Sequence, residues 1–89
     1  MPYIDSEDRK AMDIEELATY FAEMDLPKFA GHLNYLNFKI VKTYIKKNGQ
    51  KYFTFAVVVG TLVCCILEIY RRLAAPYEDI KIKGNGDVE

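Results

Sequence analysis

Metal ligands are scarce in this sequence. Histidine occurs once, at His32, and the two cysteines, Cys64 and Cys65, are neighbours rather than members of a Cys-x-x-Cys pair. A tetrahedral site would lack its usual nitrogen and sulfur donors, so His32 reads as a helix-surface or interface residue. Glu15, Glu16 and Glu23 stand at spacings that suit magnesium on one helix, but no second helix offers a matching acid pair, and they read as solvated acids. Neighbouring helical side chains diverge by about 100°, which makes a Cys64–Cys65 disulfide geometrically poor. Thiols in so apolar a stretch stay protonated and inert. Glycine is sparse, and Gly84-Asn85-Gly86 neither follows a strand to open a helix nor precedes a lysine as a phosphate loop does. No basic segment leading into an apolar one begins the chain, because Met1 to Asp13 is acidic and polar; without a signal peptide the expectation is cytoplasmic residence. With these parts missing, the sequence predicts a protein that is not an enzyme and needs no metal or cofactor.

What is present is a folded-protein composition, 51% hydrophobic and 28% charged over 89 residues. One domain spanning 1–89 is expected, with an N-terminal arm at 1–12, a helical body at 13–75 and an extended tail at 76–89. A chain this short buries only somewhat more than ~60% of its unfolded surface, so copies of itself become useful partners. The net charge of -1 hides an uneven layout: residues 1–27 carry a net -6 and residues 28–83 a net +7. Either the acidic arm neutralises the basic body within or between subunits, or the basic face is kept for an anion.

Helical periodicity organises the middle of the chain. Pro2 predicts an extended start, with Tyr3 and Ile4 available for docking, and residues 5–12 suit a short helix. Asp13 and Glu16 match a capping box for a helix from Ile14 to about Met24, whose stripe is Ile14, Leu17, Tyr20, Phe21 and Met24. Asp25 and Pro27 interrupt it and start the next helix, which runs to about Lys47 and ends at Asn48 and Gly49. Its apolar face is Leu33, Leu36, Phe38, Ile40, Val41, Tyr44 and Ile45, opposite Lys39, Lys42 and Lys46.

From Phe53 to Leu67 only Thr54, Gly60 and Thr61 break the apolar run, and periodicity does not separate its faces. Tyr52 to Tyr70 is long enough for the ~20 residues that cross a bilayer, with tyrosines at both ends and basic residues on both flanks. Glu68 inside the stretch and the amphipathic helix before it favour a central helix buried by protein in an oligomer over a membrane span. Pro76 is expected to stop the helix at Ala75, leaving Ile80–Lys83 as a short strand before a turn at Gly84–Gly86.

The residues best suited to chemistry are Arg71, Arg72 and Tyr77, with Asn34, Tyr35 and Lys39 as second candidates. Arginine forks donate to phosphate or carboxylate oxygens and tyrosine rings stack, a mixture fit for a nucleotide-like anion. The plainer alternative is structural, with Glu68 pairing to Arg71 and Arg72 at spacings of three and four.

The start Met1-Pro2-Tyr3-Ile4, with Glu7-Asp8-Arg9, the central Leu33-Asn34-Tyr35, and the ending from Glu68 and Tyr70-Arg71-Arg72 through Ala75-Pro76-Tyr77-Glu78-Asp79 to Asn85-Gly86-Asp87-Val88 resemble a family of small uncharacterised proteins from phages and prokaryotes. In that family the penultimate helix is amphipathic, so the resemblance implies a soluble protein. Val57, Val58, Val59 and Val63 depart from that pattern. The setting suggests a phage protein active in the host cytoplasm, a homo-oligomer that sequesters an anionic, nucleotide-like signal of host defence without turnover. An adaptor that captures a host protein and a small single-span membrane protein are the alternatives. Nucleic acid is not expected as a partner, because an acidic arm offsets Lys39, Lys42, Lys46, Lys47 and Lys51.

Overall fold

Local capping and turn chemistry set where each helix begins and ends. The computed structural model describes residues 4–88, and among these all regular structure is helical. The order is α1 (Ser6–Met12), α2 (Glu15–Ala22), α3 (Leu26–Asn48), α4 (Tyr52–Ile69), a π-helical turn (Tyr70–Ala74) and α5 (Ala75–Asn85). The expected roles of Pro2 and Tyr3 lie outside the described residues. The chain divides into two units, Met1–Lys42 and Thr43–Glu89.

In the first unit the Asp5 side chain caps α1, accepting from the Asp8 amide at 2.9 Å. Such a bond satisfies one of the orphan donors at a helix start. The capping box expected at Asp13 does not form. Asp13 instead adopts the left-handed conformation, φ 49°, that closes α1, and Ile14 precedes α2 with no side-chain cap. One residue cannot both end a helix in that conformation and cap the next from an extended one. Asp25 does cap α3, accepting from the Lys28 amide at 2.9 Å. Around this corner Phe21 stacks edge-to-face on Phe29 at 6.1 Å and on His32 at 6.4 Å. His32 also places Nδ1 2.9 Å from the Lys28 carbonyl oxygen, so its ring serves the turn, as a helix-surface residue would. Phe21, Met24, Phe29, Leu36 and Val41 are the half-buried residues of this unit.

In the second unit α3 ends as its sequence predicts. Gly49 takes φ 91° and donates its amide to the Ile45 carbonyl at 2.7 Å, and the Asn48 side-chain amide donates to the Tyr44 carbonyl at 2.9 Å. The extended tail expected from residue 76 is not found; α5 continues helically to Asn85, so neither the strand at Ile80–Lys83 nor the turn at Gly84–Gly86 exists. The reason lies one turn earlier. A proline ring inside a helix collides with the carbonyl four residues back and offers no amide hydrogen. Here the turn before Pro76 widens to the π form, with the Ala75 amide donating to the Tyr70 carbonyl five residues back. The wider turn lets the chain pass Pro76 without breaking, and the helix stops only where Gly86, at φ 85°, donates to the Ile82 carbonyl.

No described residue is buried. A protein-covered centre was the expectation for α4; among the described residues the chain by itself supplies no such cover, and its most apolar window, with a mean hydropathy of 2.2, has none of its residues buried.

Candidate functional site

The π turn gathers the charged chemistry of the second unit. Glu68, at the end of α4, accepts from the Arg71 guanidinium at 3.0 Å and lies 3.6 Å from Arg72 Nε. These are the pairs that spacings of three and four on a helix predict. The hydrogen bond from Arg71 lowers the Glu68 carboxyl pKa below the ordinary carboxylate value, and the charges of both arginines act in the same direction. The side chain of Glu68 is 22% exposed, against 71% for Arg71 and 56% for Arg72. The carboxylate is therefore a partly sheltered anchor and the arginines its solvent-facing arms. Each guanidinium carries five N–H donors, so the anchoring bonds leave others for an incoming anion.

Around this anchor the turn and α5 contribute two further links. Tyr70 directs its hydroxyl to a Glu78 carboxylate oxygen at 3.5 Å, the long limit of a hydrogen bond, bridging the π turn to the helix beyond it. Lys81 holds its ammonium 5.5 Å from the centre of the Tyr77 ring, within cation–π range. Glu68, Ile69, Arg72 and Leu73 line a shallow, open hollow. Another, lined by Ser6, Arg9, Lys10, Asp13, Ile14 and Glu15, belongs to the first unit. Among the described residues no group of three or more His, Cys, Asp or Glu is placed to hold a metal ion.

Arg71 and Arg72 fall inside the π turn and Tyr77 opens α5, three site residues on one continuous stretch of the second unit. Asn34, Tyr35 and Lys39 belong to α3 in the first unit, all exposed, with Tyr35 and Lys39 four residues apart and thus on one side of the helix. Sequence reasoning missed the Tyr70–Glu78 link and the contact of Lys81 with Tyr77. Both require α5 to be helical, and the only available signal was that Ala75-Pro76-Tyr77-Glu78 can also be read as a first helical turn with proline at an allowed position.

A family model described as a domain of unknown function (DUF6899) matches residues 1–88. The chain belongs to this family. No curated protein and no solved structure matches it. The family match spans both units of the chain, so the domain of unknown function includes the arginine-bearing turn and the α3 candidates alike.

Proposed function

We propose that this protein is a non-catalytic binder of an anionic, nucleotide-like small molecule, assembled as a homo-oligomer. The observation that carries the reading is the anchored arginine pair. Glu68 fixes one side of Arg71 and Arg72 while most of each guanidinium stays exposed, and arginine forks pre-oriented in this way suit phosphate oxygens. Tyr77, five residues after Arg72 in the sequence, is 60% exposed and would supply a ring for a base to stack on. An open hollow on a single chain encloses too little of a ligand, so copies of the chain would complete the walls. The likeness to small phage and prokaryotic proteins directs attention to host signalling nucleotides as the ligand class, an argument from setting and not from motif.

The test is native mass spectrometry of the purified protein, followed by calorimetric titration with a panel of mono-, di- and cyclic nucleotides. We expect an oligomer that binds at least one of them, with binding lost in R71A/R72A while helix content persists. If no small molecule is released on denaturation and no nucleotide binds, the reading is wrong. A second reading, a single-span membrane protein, is favoured by the 18-residue apolar window of the Tyr52–Asn85 helix with its mean hydropathy of 2.2. Sedimentation with membranes that survives alkaline carbonate would select it.

A further inference from the structure

The first unit, Met1–Lys42, carries two charged rows of opposite sign. On α3 Lys28, His32, Tyr35, Lys39 and Lys42 recur at steps of four, three, four and three, which draw one straight row along a helix. All five are exposed, and α3 has no acidic residue anywhere in its length. On α2 Glu16, Tyr20 and Glu23 recur at steps of four and three with Glu15 beside them, and these too are exposed. Glu23 lies just past the end of the helix but keeps right-handed helical backbone. Each row holds a ring among its charges: Tyr20 is 54% exposed between two glutamates, and Tyr35 is 69% exposed between His32 and Lys39.

The fold keeps the two rows apart. Phe21 turns its own side of α2 toward α3 by stacking on Phe29 and His32. At about 100° per residue, Glu15, Glu16 and Glu23 stand roughly 120° to 160° round the helix from Phe21, so they look away from α3. Among the described residues no ion pair joins α2 to α3. The acids of this unit therefore leave its lysines unneutralised.

We propose that the Glu16–Tyr20–Glu23 row of one copy docks on the Tyr35–Lys39–Lys42 row of a second copy. The proposal rests on the self-assembly proposed above and names a surface that carries it. Charge complementarity selects the occupant. A nucleic acid or other polyanion would suit the α3 row alone, but it would approach a unit with eight acids against five bases, net -3. A second copy instead brings its acids to these lysines and keeps its own lysines for a third. Exposed ion pairs are individually weak, so the charges choose partner and register while the two tyrosines supply the area covered. An acidic row meeting a basic one is a heterologous contact, which closes as a ring or runs on as a filament.

Charge reversal in the full chain, read by sedimentation, tests the contact. E16K/E23K and K39E/K42E should each lower the mass of the assembly, because like charges then face each other, and an equimolar mixture of the two should regain the wild-type mass. Mere loss of stability would not produce that recovery, and circular dichroism should show both variants helical. Salt should dissociate the wild-type assembly, since the Debye length falls to about 3 Å at 1 M; should either variant lose its helices, a wild-type mass unchanged by salt overturns the contact. Variants that keep the wild-type mass, or a mixture that fails to regain it, overturn the contact and leave self-assembly to another surface. A wild-type protein that sediments as a single chain overturns both. If K39E/K42E keeps the mass but loses retention on immobilised heparin, the basic row serves an external polyanion and the contact between copies is overturned.

Discussion

Glu68 is the residue on which the charged turn depends. Its carboxylate accepts from Arg71 at 3.0 Å and meets Arg72 at 3.6 Å, and its pKa is lowered accordingly. A carboxyl with a lowered folded-state pKa contributes stability that is present above its ordinary value and is lost as pH falls through the lowered one. Acidification below the ordinary carboxylate range should therefore release both arginines while the rest of the helix stays formed. A carbon-detected titration of the Glu68 carboxyl resonance, followed alongside the Arg71 and Arg72 side-chain signals, should show all three moving together; independent movement would mean the pair is not coupled in solution. At this scale the sequence was informative, because pairs at three and four residues are written directly into a helical stretch. Asp13 was less so, since the left-handed closure of α1 and the capping of α2 compete for the same residue and no local rule ranks them.

At the scale of elements the joint between α4 and α5 sets the second unit apart from a plain helical hairpin. Proline inside a helix costs about 3 kcal/mol or more through the lost bond and the ring collision, and the π turn at Tyr70–Ala74 relieves the collision. Pro76→Ala removes the need for that turn. We expect the Ala75 amide to move its bond from the Tyr70 carbonyl to the Arg71 carbonyl, and the helix to become more stable by up to about 3 kcal/mol. Backbone amide shifts and a thermal unfolding curve would read both effects, and an unchanged turn would assign its cause to something other than the proline. The beginning of α3 at Asp25 and its end at Gly49 were legible because capping and left-handed glycine are local signals. The continuation past Pro76 was not, because a proline after a helix and a proline bypassed by one wide turn share the same sequence signature.

For the molecule as a whole, the chain's apolar residues outnumber the places it has to put them. No described residue is buried, and exposed apolar residues occur on α3 as well as α4, Phe38, Ile40 and Tyr44 among them. A bilayer around α4 alone would leave α3 wet, whereas association of copies can cover both. If association supplies the missing interior, stability belongs to the assembly and must depend on concentration. The midpoint of thermal unfolding should rise as protein concentration is raised; a midpoint independent of concentration would show that one chain suffices. The all-α class was legible in α2 and α3, whose apolar residues recur at helical spacing, but not in α5, where Ile80–Lys83 alternates like a strand and is helical. How α4 is covered was not, because an apolar run looks the same whether its neighbour is protein or lipid.

The π turn also has a geometric consequence. A π turn takes up one residue more than an α turn, so the side chains of α5 lag by about 100° behind the headings that an unbroken α-helix of the same sequence would give them. Excising one residue between Tyr70 and Ala74 should return the turn to the α form and leave Tyr77 and Lys81 on the flank they now hold, whereas Pro76→Ala, which keeps the residue count, should swing them round by about 100°.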